Sequence, residues 1–224
     1  MSSIIQRAPD LHGGINFRDI GGYASRDGRH VVWRKLLRSG HLANLSVSDL
    51  SVLSSMGVNQ VHDFRRDDER LRSPSKVINV EVFSDYNISV GSLSRFWDYL
   101  REGNLTTISA QNLVTDSYSD CIAEVAPAFT RFLRSILNNS EGTSVFHCAA
   151  GKDRTGMAAA LILSALDVPR ATIIEDYLLT DKYLDSQNLI TIIEKHLADA
   201  NIKYWERDWL LPYCTVSIEN IEAF

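Results

Sequence analysis

The chain reads as an α/β protein with a mainly parallel central sheet, helices on both sheet faces, and a helical C-terminal third. Three observations predict this. The segment Val58-Asn59-Gln60-Val61-His62-Asp63-Phe64 is rich in β-branched and aromatic residues and follows a helix-stop glycine, so it reads as a strand. A second short run, 143–147, leads through a glycine-bearing turn into the apolar stretch Met157 to Ala165, a strand–loop–helix pattern. Helical spacing fills the chain between the two strands, and crossovers of that length join parallel neighbours.

The remaining elements follow in order. Residues 8–40 hold glycines and turn formers, with extended pieces at 15–17 and 31–33. Ser46 can cap a helix over 47–56, Asp49 completes the capping box, and Gly57 stops it. Val77 to Phe83, bounded by Pro74 and Ser84-Asp85, reads as a further strand. Residues 84–111 mix aromatics with Gly91 and Gly103, which predicts irregular structure around one helix near 92–101. Apolar spacing from Leu113 through Tyr118, Ile122, Val125, Phe129 and Ile136 suits helix over 112–138, broken near Pro127. Helices are predicted at 154–166, 170–179 and 181–199, and Trp205, Trp209 and Tyr213 should fold the last 24 residues onto the body. With no repeat or Pro/Gly-rich linker, residues 1–224 read as a single domain.

Composition narrows the function. A formal charge of −5 argues against a general nucleic-acid binder, which needs a basic face. The three cysteines, Cys121, Cys148 and Cys214, form no CxxC pair, so a reducing compartment is expected. The six histidines lack metal-ligand spacing, and neither a metal nor a cofactor is expected. Residues 1–7 lack the apolar core of a secretory signal, and the longest apolar run is about half a membrane span. A cytoplasmic protein without membrane insertion is the expectation, with signal-independent secretion left open and the oligomeric state unread.

The chemistry concentrates in His147-Cys148-Ala149-Ala150-Gly151-Lys152-Asp153-Arg154-Thr155-Gly156. A loop between a strand and a buried helix presents unpaired N–H groups and the positive end of a helix dipole, which together bind anions. N–H donors around a sulfur favour its thiolate, the nucleophilic form. Arg154 can hold two phosphoryl oxygens in one planar fork. In parallel sheets ligands sit at the carboxyl ends of strands, where Asp63 to Arg66 also falls.

The pattern His-Cys, five residues, Arg-Thr-Gly resembles the active-site loop of the cysteine-dependent protein-tyrosine phosphatase superfamily. Gly-Lys-Asp-Arg-Thr-Gly is similar to its bacterial and fungal tyrosine/serine phosphatase subgroup, some of whose members also act on phosphoinositides. The segments 16–22 and 37–42, and Asp63-Phe64-Arg65 followed by Glu69, fit the same group. The resemblance implies a cofactor-independent phosphomonoesterase whose substrate is a phosphorylated protein or a phosphoinositide. Cys148 would be the nucleophile, and the loop Ala149, Ala150, Gly151, Lys152, Asp153 and Arg154 would hold the phosphoryl group. His147 and Thr155 would support the sulfur. Lys152 reads as a flexible second cation or as a solvated side chain.

The general acid is left open. The superfamily's Trp-Pro-Asp segment is absent, so Asp153 within the loop stands beside Asp116 and Asp120, with Asp63 and Asp85 further off. Arg18, Asp19, Arg38, Asp63 and Arg65 read as an ion-pair network bracing the loop. Cys121 and Cys214 read as core residues, or as partners for an oxidised Cys148. Two other functions remain: a rhodanese-like sulfurtransferase, and a non-catalytic module that binds phosphoproteins or phosphoinositides.

Overall fold

The computed structural model describes residues 6–89 and 93–224. Its sheet is built from β1 (Arg18–Asp19), β2 (Leu36–Ser39), β3 (Val58–Asp63), β4 (Glu81–Phe83) and β5 (Thr143–His147). Their spatial order is β1-β2-β5-β3-β4, with β1 antiparallel to β2 and every other pair parallel. The helices are α1 (Val47–Ser55), α2 (Asp67–Arg72), α3 (Leu93–Glu102), α4 (Thr107–Asp120), α5 (Ile122–Asn138), α6 (Asp153–Ala165), α7 (Arg170–Leu178), α8 (Thr180–Tyr183), α9 (Ser186–Asp199), α10 (Arg207–Cys214) and α11 (Ile218–Ala223).

β5 is the central strand and all of its residues are buried. Side chains alternate across a strand, so its neighbours in sequence serve different cores. Val145 joins Leu37, Val61 and, from α1, Leu53 on one face. Phe146 joins Phe64, Phe132 of α5 and Ile162 of α6 on the other. A further cluster of Phe96, Ile190, Leu197 and Leu210 ties α3, α9 and α10 together, which gives the C-terminal third its own apolar centre. Among the described residues, no helix is long and apolar enough to cross a membrane.

Several boundaries differ from the sequence expectations, most for a local reason. The extended pieces expected at 15–17 and 31–33 become strands at 18–19 and 36–39. Asn16 (φ 49°) and Arg34 (φ 60°) are left-handed, so extended pairing resumes only beyond them. Asn79 (φ 57°) likewise cuts the strand expected over 77–83 to its last three residues. The break in the long helical stretch falls at Cys121, not Pro127, which lies inside α5. The helix expected over 181–199 is split. Leu184 is extended, and the Asp185 side chain then caps α9 by accepting from Asn188 N at 2.9 Å. Capping at Ser46 is as expected: Ser46 Oγ accepts from Asp49 N and Asp49 Oδ2 from Ser46 N. Of the segment 84–111, residues 90–92, Gly91 among them, lie outside the described residues.

Two buried imidazoles make the fold pH-sensitive. His62 stacks on Phe83 with ring centroids 4.9 Å apart, and burial, with His147 nearby, pushes it down to about 4. Burial pushes His147 down to about 4 as well, against the pull of Asp63. Both stay neutral in the fold, whereas the unfolded chain protonates them near the ordinary value of about 6.5. Between those values the unfolded state binds more protons, so stability rises with pH and is lost as pH falls from about 6.5 through about 4. Urea unfolding at pH 7, 6 and 5 should show a falling midpoint, less steep in His62→Phe. A midpoint unchanged down to pH 5 would contradict this.

Candidate active site

Residues 148–152 link β5 to α6, and the carbonyls of this loop are tied to the framework behind it. Asn16 Nδ2 donates to Ala150 O (3.2 Å) and Gly151 O (2.9 Å). Arg38 Nη2 donates to Gly151 O at 3.1 Å, and His41 N to Ala149 O at 2.8 Å. Gly151 has φ +70°, and a Cβ there would lie 2.5 Å from the Ser39 carbonyl carbon, so only glycine fits. Among the described residues, the backbone N–H groups of Ala149 to Arg154 donate to no protein acceptor. Carbonyls tied behind and N–H groups left over make an anion cradle at the start of α6. Cys148 sits buried at its entrance.

Arg154 is gripped by Glu69 of α2. Nη1 and Nη2 each donate to one Glu69 oxygen at 2.7 Å, and Nη1 also reaches Ile88 O at 3.2 Å. Burial opposes the charge, but the bonds to Glu69 and the nearby Cys148 and Asp153 hold the guanidinium firmly protonated. Burial alone would raise the Glu69 carboxyl. Arg154, helped by the backbone N–H of Arg66, keeps it below the usual range. A planar fork gripped this way has one orientation.

Lys152 and Asp153 are placed by the C-terminal third. Lys152 is buried, its Nζ donating to Thr215 O and lying 3.0 Å from Asp153 Oδ1. It is therefore neither solvated nor a flexible cation at the rim, because residues after α10 close over it. Asp153 is 30% exposed, and its Oδ1 also accepts from the Tyr118 hydroxyl. Tyr118 and Tyr177 hydroxyls lie 2.6 Å apart. Gly156 lets this happen, since a Cβ there would meet the Tyr177 ring at 2.8 Å. Thr155 Oγ1 and His147 Nε2 are buried without a hydrogen-bond partner, while His147 Nδ1 lies 3.1 Å from Cys148 O.

The five charges expected to converge divide into three groups. Arg18 and Arg38 meet at Asp176 of α7: Arg38 Nη1 to Oδ2 at 2.6 Å and Arg18 Nε to Oδ1 at 3.5 Å. Arg18 also holds Asn16 Oδ1 at 2.5 Å, and Tyr23 donates to Asp176 at 2.9 Å. Burial would raise the Asp176 carboxyl, but Arg18 and Arg38 hold it low. Asp63 pairs with Arg65 (2.7 Å), which reaches on to Ser73 O and Ser75 Oγ. Asp19 instead accepts from Gly21 N and Arg34 N, buttressing the entry to β2.

Other candidates lie apart from the loop. Asp116 and Asp120 sit two residues either side of Tyr118, about 200° around the helix, and are exposed. Asp85 is exposed, 3.5 Å from Arg131. Cys121 and Cys214 are free thiols, pushed by burial up to about 11 and about 12. A cavity of ≈ 570 Å³ opens over Ala149 and Ala150, with His41, Glu69, Leu189 and His196 in its wall. Asp176 and Tyr118 were not singled out from the sequence. Asp176 alone carried a signal, since it shares the buried side of α7 with Ile173 and Tyr177 at helical spacing.

A family model described as the tyrosine phosphatase family matches residues 9–224. A Cupriavidus necator protein bearing the name of a tyrosine-protein phosphatase is 36% identical over 165 residues, 73% of this chain and 59% of that protein. A tyrosine-protein phosphatase of Nostoc commune is 28% identical over 151 residues, 67% of this chain and 50% of that one. The triple specificity protein phosphatase PtpB of Mycobacterium tuberculosis is 29% identical over 193 residues, covering 75% and 67%. The chain thus spans only 59% and 50% of the length of the first two relatives.

Removing Asp176 would leave two buried guanidinium groups facing each other without a counter-charge. Asp176→Ala should cost about 3–5 kcal/mol in urea unfolding. A loss below about 1 kcal/mol would show that the pairing is not essential to the fold.

Proposed function

Because the chain belongs to the tyrosine phosphatase family, we propose that it is a single-domain protein-tyrosine phosphatase working through a phosphocysteine intermediate. The observation that carries this reading is the free-donor cradle, with Cys148 at its entrance and Arg154 pinned by Glu69 at its side. A guanidinium has five N–H donors. Glu69 and Ile88 take three of Arg154's, leaving Nε–H and one Nη2–H for phosphoryl oxygens. A binding module needs no buried thiol there, and sulfur transfer needs no pinned fork beside it.

In the first step the Cys148 thiolate attacks phosphorus in line and the ester P–O bond breaks. The leaving oxygen takes a proton from Asp153. In the second step water attacks phosphorus, gives its proton to Asp153, and the S–P bond breaks. The cradle N–H groups and Arg154 stabilise the charge spread over the equatorial oxygens in both steps. Thr155 supplies a hydroxyl donor to the departing sulfur, a role that suits its unpartnered buried oxygen.

Asp153 is favoured as acid because the competing carboxylates are committed elsewhere: Asp63 to Arg65 and Glu69 to Arg154, with Asp116, Asp120 and Asp85 away from the loop. Lys152 acts on Asp153 and on the C-terminal segment, and this tells against a role as spare cation for a phosphoinositide headgroup. We place phosphotyrosine first and phosphoserine/threonine second, a range in line with the triple specificity in one relative's name. Free thiols throughout suit a cytoplasmic setting.

Cys148→Ser should lower turnover of p-nitrophenyl phosphate by at least ~10³-fold yet still bind inorganic phosphate by calorimetry, whereas Arg154→Ala should lose both. Turnover near wild type in the serine variant would end the phosphocysteine mechanism. Vanadate should inhibit and chelators should not. Phosphopeptides and phosphoinositides assayed side by side should rank phosphotyrosine first.

A further inference from the structure

Asp153 is held by a buried polar relay that reaches it from α4 and α7. Tyr118, wholly buried on α4, donates to Asp153 Oδ1, and the same oxygen lies 3.0 Å from Lys152 Nζ. Tyr118 is itself anchored. Its oxygen is 2.6 Å from the hydroxyl of Tyr177, which is buried on α7. Nearby, Asn220 Oδ1 of α11 accepts from Gln111 (3.1 Å) and Thr115 (2.8 Å), which ties that helix to α4. Burial and the neighbouring Asp153 push Tyr118 well above the ordinary phenol value, so it remains a proton donor throughout. Among the described residues, no donor reaches Asp153 Oδ2.

We infer that Tyr118 is a positioning residue for Asp153: its hydroxyl occupies Oδ1 beside the Lys152 charge, so that the acid proton is carried, delivered and recovered on Oδ2. An oxygen that accepts a hydrogen bond and faces an ammonium group 3.0 Å away is the poorer site for a proton, which adds to the other oxygen. Fixing Oδ1 also fixes rotation of the carboxyl about its Cβ–Cγ bond. In the first step Oδ2–H protonates the leaving oxygen as the ester P–O bond breaks and the S–P bond forms. In the second, Oδ2 takes a proton from the attacking water as S–P breaks. The inference rests on Asp153 as the acid of a phosphocysteine mechanism.

The experiment compares kcat/KM on phenyl phosphate, whose leaving group needs a proton, with 2,4-dinitrophenyl phosphate, whose leaving group does not. Tyr118→Phe keeps the ring and removes the donor. It should lower kcat/KM on phenyl phosphate by about 10-fold and leave the dinitrophenyl substrate within about 2-fold. Loss of a donor to a carboxylate favours its protonated form, so the falling limb of the phenyl phosphate pH profile should move to higher pH. Tyr177→Phe, which touches Asp153 only through Tyr118, should shift both readouts the same way but less, and it carries the test if Tyr118→Phe does not fold. Equal losses on both substrates, no loss on either, or an unmoved pH limb would overturn the inference while leaving the phosphatase reading intact. Full activity in Cys148→Ser would instead overturn that reading and the inference with it.

Discussion

Asp176 is the group on which the rest of the site depends. It is buried between Arg18 and Arg38; Arg38 reaches the Gly151 carbonyl directly, and Arg18 holds Asn16, which reaches the carbonyls of Ala150 and Gly151. A loop of this kind can turn its peptide groups either way. Tying the carbonyls to a fixed cationic framework decides the matter and leaves the N–H groups to face an anion. The interaction is therefore a constraint on peptide orientation before it is a source of stability. Buried ion pairs contribute little net free energy but are costly to break.

The same device recurs around the loop in two more pairs, the half-buried Glu69 with Arg154 and the buried Asp63 with Arg65. In each a carboxylate that burial would otherwise protonate stays low because a guanidinium faces it. Asp63 and Arg65 stand at the end of β3, beside His147 at the end of β5, and fix the floor of the sheet there. Glu69 approaches from α2 and fixes the arginine fork. The polar side of the site thus comes from several elements, each held by a different pairing. The apolar cores on the two sheet faces supply the rigid frame between them.

The helical C-terminal third has a more direct part than covering the sheet. Thr215 O holds Lys152, Tyr177 holds Tyr118, and α7 supplies Asp176. Folding of this part and assembly of the loop are coupled through these bonds. That coupling explains why Lys152, which on the sequence looked like a mobile cation, is buried and bonded. It also explains why Tyr118, and not Asp116 or Asp120, is the residue through which α4 meets the loop. On a helix, residues two apart face opposite ways.

Much of this was legible locally. The strand over 143–147, the capping box at Ser46, the glycine stop at 57 and the cysteine–arginine spacing of the loop are all set by short-range rules, because each depends on residues within a turn or a strand. Element ends were misread where single residues took left-handed backbone, as at Asn16, Arg34 and Asn79, since asparagine and arginine do not announce that conformation as glycine does. The pairings could not be read at all: Asp176 lies 158 residues from Arg18, and Tyr118 lies 35 from Asp153. By itself the sequence determined the α/β architecture and the strand–loop–helix that carries the cysteine–arginine spacing. The tertiary structure alone decided which carboxylate stays at the loop and which are locked away. Charge partners across such distances are chosen by how helices pack on the sheet, and no local pattern encodes that choice.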